Sequence, residues 1–284
     1  MTFFLSRFLS LSVSLVVACV YTTPISKADE QSNLLSYRKI YFHNPESNIN
    51  NFRSLKISFD TYLSVFGKFQ FQPFENKETF EKMLENTQGS VFLLSSWHYQ
   101  FLRKNKQIKP ILIAEFNGKS VQKKVLLVKS TQLRFSDLKG KMIATAGNEQ
   151  YSRNLLYEMF PLQSKESIEL IKFLVVPTDM NALISLNYGM AAAALSSEIS
   201  LNQLKIVNPK LAIQLNAIGK SKEKLRTVAV IKQGDKKAQE LVDVLLQMNK
   251  TEDGKKRLRL LGLDGWHYLT PPELKQLQFQ GGVE

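Results

Sequence analysis

The chain alternates short runs of apolar, β-branched and aromatic residues with longer stretches in which apolar positions recur every three or four residues. Lys39 to Phe42 reads as a short strand. Asn51 to Phe66 then places Phe52, Leu55, Phe59, Tyr62, Leu63 and Phe66 on one face of a helix. The alternation continues through a strand over Phe69 to Phe71, a helix over Thr79 to Glu85, a strand over Ser90 to Leu94, a helix over Trp97 to Arg103 and a strand over Pro110 to Phe116. The Ser90 to Leu94 run is almost wholly apolar, as expected of a strand covered on both faces. Strands that alternate with helices imply βαβ units and a mostly parallel sheet.

The pattern changes after Asn117-Gly118, a turn signal. Val121 to Lys129 is a β-rich run that follows another strand with no helix between. A second series follows: strands at Lys141 to Thr145, Ile171 to Val175 and Met190 to Leu195, with helices at Glu149 to Met159, Asp179 to Asn187 and Ser197 to Leu204. Leu211 to Asn216 reads as a further strand. Leu225 to Ile231 is a strand able to carry the chain back, and the tail reads as helices over Lys236 to Asn249 and Thr251 to Leu261. Two α/β series joined by two extended passages predict two lobes with a hinge and a cleft between them. Lobe 1 is expected from residues 29–116 plus 225–284, and lobe 2 from residues 117–224. Ligands of such architectures bind where domains meet and strands end.

Residues 1–28 have the pattern of a secretory signal peptide. Arg7 precedes an apolar and small-residue run from Phe8 to Val20, Pro24 breaks it, and Ser26-Lys27-Ala28 offers small residues for cleavage before Asp29. Val16-Val17-Ala18-Cys19 resembles a lipobox, so lipidation at Cys19 is the alternative route. Cleavage after Ala28 leaves a periplasmic chain without cysteine, which must rely on its core instead of disulfides. With 38 Lys+Arg against 25 Asp+Glu, the full chain carries a formal charge of +13. Arg7 and Lys27 leave with the leader, lowering this to +11. The basic runs at Lys104–Lys109, Lys220–Arg226 and Lys255–Arg259 read as solvated surface. An exported chain without interleaved aromatic platforms is not expected to bind nucleic acid.

Catalytic and metal motifs are missing from the sequence. It holds no nucleophile elbow or P-loop, and the mature chain has no cysteine nucleophile. His43 and His98 lack a carboxylate or cysteine at useful spacing for a metal site. No enzyme activity, metal or cofactor is expected.

Phe135-Ser136-Asp137-Leu138-Lys139-Gly140-Lys141-Met142-Ile143-Ala144 resembles the S-x-x-DLKGK-x-(I/V)-A segment of periplasmic solute-binding proteins of the phosphate/phosphite/phosphonate ABC-transporter type. Pro177 to Leu183, Asn187 to Ala193 and the Gly262-Leu263-Asp264-Gly265-Trp266 tail resemble further segments of that family. The resemblance implies a type II periplasmic-binding-protein fold with two α/β lobes and a two-segment hinge. It also implies a small-molecule solute and an inner-membrane ABC permease as partner, with a membrane sensor as the alternative, and a monomer. Three departures bear on the ligand: Glu149 brings a negative charge to the turn where the family cradles an oxyanion, Thr178 replaces a histidine, and Ala191 replaces an acidic residue. A zwitterionic or amine-bearing ligand is therefore expected beside the phosphonate-like one.

Candidate ligand-binding residues follow from strand ends. In lobe 1 these are His43, Asn44, Ser95, Ser96, Trp97 and His98. The histidines are able to donate to an oxyanion, the serines offer hydroxyls or simply cap a helix, and Trp97 offers either an aromatic wall or a core side chain. In lobe 2 they are Thr145, Asn148, Glu149, Tyr151 and Asp179, where Asp179 either binds a ligand group or caps its helix.

Overall fold

Apolar runs too short and too uniformly buried for helices become the inner strands of two sheets, and the three-four periodic stretches become the helices that cover them. The computed structural model describes residues 37–46, 51–104 and 106–279. The leader expected over residues 1–28, with Cys19, lies outside the described residues.

In chain order the first half comprises β1 (Arg38–His43), α1 (Phe52–Leu63), β2 (Phe69–Pro73), α2 (Lys77–Asn86), β3 (Val91–Ser95), α3 (Ser96–Leu102), β4 (Ile108–Glu115), β5 (Val121–Gln122) and β6 (Lys124–Val128). Then come β7 (Met142–Thr145), α4 (Glu149–Met159), α5 (Lys165–Glu169), β8 (Lys172–Val175), α6 (Asp179–Asn187), β9 (Ala193–Ser197), α7 (Glu198–Val207), α8 (Pro209–Ala212) and β10 (Asn216–Lys220). The chain ends with β11 (Lys224–Leu225), β12 (Thr227–Lys232), α9 (Gln239–Gln247), α10 (Glu252–Leu260), β13 (Gly265–Tyr268) and α11 (Pro271–Phe279).

Six strands form one sheet in the order β13-β4-β12-β3-β1-β2, and five form another in the order β10-β6-β9-β7-β8. Both sheets are mixed, where the alternation of strands and helices implied mostly parallel ones, because strands that enter and leave the hinge directly add antiparallel. In the first, β1 pairs in parallel with β2 and β3, and β12, β4 and β13 extend the sheet antiparallel. In the second, β7 pairs in parallel with β8 and β9, with β6 and β10 antiparallel beyond them. Parallel pairing is thus confined to strands connected through helices, since only a crossover returns the chain in the same direction. Between the sheets, β5 and β11 pair antiparallel as a two-stranded ribbon. This gives a two-lobed α/β protein with a hinge of two extended segments.

Each sheet has an apolar layer on both faces. On the six-stranded sheet, Phe59, Leu63 and Leu245 pack on one side, while Phe80, Leu102 and Leu277 pack on the other. That is why Val91 to Leu94 are fully buried. The five-stranded sheet has Leu183 and Leu204 on one face and Leu155, Leu156 and Ile168 on the other. The helix starts follow the local chemistry. Asn51, Asn76, Asn148, Thr178, Ser197 and Thr251 each accept the backbone N–H three residues on, satisfying a donor the helix leaves free.

Three local readings need correction. The strand expected over Leu211 to Asn216 is instead the short helix α8, followed by β10. Pro209 opens that helix, and the Asn208 side chain accepts from Leu211 N–H at 3.1 Å, which commits the apolar run to a turn of helix. The strand expected from Met190 runs over Ala193–Ser197 instead, because Gly189 adopts a positive φ of 71° that turns the chain first. The expected helical tail also contains β13. There Glu115 lies so close to Gly265 that a Cβ would collide with its carboxylate, so glycine is what lets β13 pair with β4.

Candidate functional site

The parallel strands of the six-stranded sheet end at His43, Pro73 and Ser95, and those of the five-stranded sheet end at Thr145, Val175 and Ser197. Ser95 pairs with Thr227, just beyond the hinge ribbon, and Ser197 pairs with Lys124, just beyond it on the other side. The topology therefore gathers the carboxyl ends of both sheets around β5 and β11. Contacts between the lobes cross at this place. The N–H of Asn148 donates to the carbonyl of Pro45 at 2.8 Å. The rings of Trp97 and Tyr151 meet edge to face with centroids 5.8 Å apart.

On the lobe 1 side the structure brings the two histidines together but buries them. The His43 and His98 rings lie edge to face at 5.4 Å, and each packs against Phe80 at 5.7 Å. His98 is fully buried, its Nε2 is 2.8 Å from a Glu81 carboxylate oxygen, and its Nδ1 has no partner. Burial lowers the His98 pKa to about 4, outweighing the Glu81 hydrogen bond that raises it, and also lowers that of His43. The neutral His98 ring then carries its proton on Nε2, because the carboxylate accepts. The His43 Nδ1 contacts the Phe74 carbonyl at 3.1 Å and so donates to it. Ser95 caps α3 through His98 N–H at 3.1 Å, and the Ser96 hydroxyl donates to the Leu225 carbonyl, tying α3 to the hinge. Asn44 accepts the Glu46 N–H at 2.9 Å, an Asx turn that directs the chain leaving β1 toward lobe 2. Half-buried Trp97 reaches the apolar layer of lobe 2.

On the lobe 2 side, Thr145 is buried. Its hydroxyl contacts Ser152 Oγ at 2.9 Å and accepts the Gly147 N–H at 3.2 Å, fixing the turn that leads into α4. Asn148 accepts the Tyr151 N–H at 2.9 Å as the cap of that helix. Glu149 is exposed and paired with Arg153 one turn on. Tyr151 is buried, and its phenol pKa is pushed well up by burial and then by Glu46, Asp179 and Glu158. Asp179 receives both of its oxygens' contacts from Lys124 Nζ, each at 2.9 Å, and accepts the Ser197 N–H at 3.1 Å. Thr178, not Asp179, caps α6.

The charges that meet here include several that sequence patterning did not single out. Lys124, Arg226 and Glu46 are 6%, 8% and 7% exposed. Lys224 pairs with Glu158, the Gln122 amide donates to Glu46, and Arg226 Nη1 reaches Gln122 Oε1 at 3.5 Å. Burial raises the Glu46 carboxyl, while Lys124, Lys224 and Arg226 draw it back. The run Lys220–Arg226, expected as solvated surface, is therefore divided. Lys220 is exposed, but Arg226 turns inward because it immediately precedes the buried strand β12 and lies over Phe116 at 5.6 Å. Pro45-Glu46, immediately after a strand end, was the available signal for the inserted carboxylate.

The arrangement has three cations and three carboxylates near the hinge, groups whose chemistry suits directional hydrogen bonds to a small polar molecule. Among the described residues no group of His, Cys, Asp and Glu is placed to hold a metal ion, and no helix is long and apolar enough to cross a membrane.

The fold is shared with several solved structures. A Xanthomonas citri protein, XAC2383, solved with chloride, is 14% identical with a TM-score of 0.61, covering 86% of this chain and 95% of that one. A binding-protein component of an ABC phosphonate transporter from Pseudomonas aeruginosa is 13% identical with a TM-score of 0.60, covering 86% of each chain. PhnD1 from Prochlorococcus marinus, solved with methylphosphonate, is 16% identical with a TM-score of 0.57, covering 85% of this chain and 94% of that one. At these identities the likeness establishes the fold. No curated protein sequence matches. The profile of a family described as "ABC transporter, phosphonate, periplasmic substrate-binding protein" matches residues 66–273. The chain belongs to that family of periplasmic substrate-binding proteins.

Proposed function

We propose that this protein is exported, loses residues 1–28, and binds one small phosphonate-like or zwitterionic solute between its lobes before delivering it, unchanged, to an inner-membrane ABC permease. The two lobes in this reading are residues 29–116 with 225–284 and residues 117–224, and the protein acts as a monomer. The observation that carries it is the convergence of both sheets' strand ends on the buried charges of the hinge, where Asn148 bonds to Pro45 across the lobes. Family membership favours delivery to a permease over the sensing alternative.

The mechanism follows from where the groups sit. A solute that touches both strand-end clusters has its full set of contacts only when the lobes are together, so it stabilises that state by its differential affinity. Moving the equilibrium from mostly open to mostly closed requires about a 10⁴-fold preference. A solute held by charged hydrogen bonds from Lys124, Lys224 or Arg226 and by the α4 turn is the kind that supplies it. Thr145, Asn148, Tyr151 and Asp179 hold the lobe 2 side in shape, while Asn44, Ser95, Ser96 and Trp97 hold the lobe 1 side. His43 and His98 act as neutral, packed rings behind that surface.

A thermal-shift screen of residues 29–284 against methylphosphonate, alkylsulfonates, amino acids and polyamines tests this. A stabilising hit among phosphorus oxyanions or zwitterions, recovered chemically unchanged and accompanied by contraction in solution scattering, is expected. Silence across every class, or conversion of the hit, defeats the reading.

A further inference from the structure

Glu46 stands apart from the other carboxylates in the cleft. Asp179 and Glu158 belong to lobe 2 and each is paired directly with a lysine, Lys124 and Lys224 respectively. Glu46 comes from the β1 end of lobe 1. The Asn44 side chain folds the chain back onto the Glu46 N–H, and the Pro45 carbonyl docks on the Asn148 N–H of lobe 2. This double tether delivers the Glu46 carboxylate into a buried position, where it accepts from the Gln122 amide of the hinge. Gln122 in turn faces Arg226, whose other polar contact is to the Lys119 carbonyl at 3.1 Å. Every group around the carboxylate is accounted for: Lys124 and Gln122 from β5 and β6, Lys224 and Arg226 from the returning hinge segment, and Tyr151, Asp179 and Glu158 from the two lobe 2 helices.

Three cations thus face three carboxylates, and Glu46 supplies the third negative charge from the opposite lobe without a cation bonded to it. We propose that Glu46 is a specificity-determining residue that acts as a tethered anion: it sets the chain's own carboxylate among the hinge cations, so that a free oxyanion binds there only by displacing it. The proposal rests on the solute-receptor reading above and deepens it. Closure contacts form through Gln122 and Pro45, and the cleft is charge-balanced from within. A phosphonate or phosphate dianion entering beside Glu46 meets a like charge in a poorly solvated place, where repulsion is weakly screened. A solute without net negative charge does not meet that barrier.

The test compares wild-type residues 29–284 with Glu46→Gln by isothermal titration calorimetry, using methylphosphonate and inorganic phosphate. Glutamine keeps the length and the contact to Gln122 and removes the charge. The variant is expected to bind these anions tighter by about tenfold or more, with any zwitterionic ligand of the wild type changed far less. Equal or weaker anion binding by Glu46→Gln overturns the proposal. If methylphosphonate or phosphate binds the wild type and the variant alike, the receptor reading stands and the Glu46 assignment alone falls. If neither protein binds any solute in the screen, both fall. A second variant guards against misfolding of the first. Glu46→Ala should gain a melting-temperature increase on addition of free acetate that the wild type lacks, and the absence of that response also overturns the proposal.

Discussion

Equivalent places in the two lobes, the carboxyl ends of parallel strands, carry opposite chemistry. At the end of β1 and the start of α3, His43 and His98 are packed against each other and against Phe80, where burial dominates and the rings lose their charge. Just after β8 and along the hinge, Lys124, Asp179, Lys224 and Glu158 are less deeply enclosed and stay in direct pairs. The difference lies in the partners. A histidine beside aromatic rings has a neutral form to retreat to, whereas an ammonium and a carboxylate that meet at 2.9 Å offset much of each other's desolvation. In this chain, then, the histidines at strand ends do not mark the charged cluster, and the lysines that open the hinge-adjacent strands do.

The largest break in this comparison comes from splitting the lobe 2 pair. Lys124→Ala leaves Asp179 charged and enclosed and should cost about 3–5 kcal/mol in urea denaturation. Removing both charges, with Lys124→Met and Asp179→Leu together, should return most of that loss. Recovery by less than half would mean that the pair is held by more than charge.

The next test falls on the lobe 1 histidines. His98 has a folded pKa of about 4 against the ordinary histidine value of 6.5, so the unfolded chain takes up a proton before the folded one does. Its contribution is complete above pH 6.5 and is lost as pH falls toward 4, by about 3 kcal/mol in all. His43 acts in the same direction. Glu46, with its carboxyl raised by burial, works in the opposite sense above the ordinary carboxylate value of 4.5. Chemical denaturation across pH 4 to 7 should show the fall, and His98→Gln should flatten it.

A smaller effect sharpens the comparison at the hinge anchor. Burial raises the Glu273 carboxyl, but hydrogen bonds from Ser120, Thr270 and His267 outweigh it and hold the pKa at about 2. Through them Glu273 ties the chain just before β5 to the C-terminal helix α11. After discounting for solvent screening, Glu273→Gln should cost about 1–2 kcal/mol, and the loss should shrink below pH 4 as the carboxylate of the unfolded wild-type chain takes up a proton while the folded one still holds its charge. The smallest effect belongs to the exposed Arg153–Glu149 pair, where Glu149→Gln should change stability by no more than about 0.5 kcal/mol. A larger change would show that the α4 turn senses charge at its rim.

Much of the architecture was legible locally. The period of apolar positions predicted α1, α4, α6 and α9 and the buried run of β3. The helix caps at Asn51, Asn148 and Ser197 sit at the starts that the periodicity implied. Leu211 to Leu215 was ambiguous because a short apolar run fits either a strand or a helix, and Pro209 with Asn208 settled it. Of the candidate site residues, Asp179 lies within the charged cluster, whereas the lysine that binds it drew no attention in the sequence.

The sequence by itself determined most of the order of strands and helices up to residue 207, the two α/β series, the strand-to-strand passages that became the hinge, and the family segments around Asp137 to Ala144. These depend on neighbours two to four residues apart, which is the range over which backbone periodicity and capping act. Only the tertiary structure decided which charges meet. Lys124 and Asp179 are 55 residues apart, Glu46 and Gln122 are 76 apart, and Arg226 and Gln122 are 104 apart. Their pairing is fixed by where strands from two sheets end in space. The same holds for His43 and His98, whose neutrality arises from the rings and helices packed around them and not from any feature of the residues beside them in the chain.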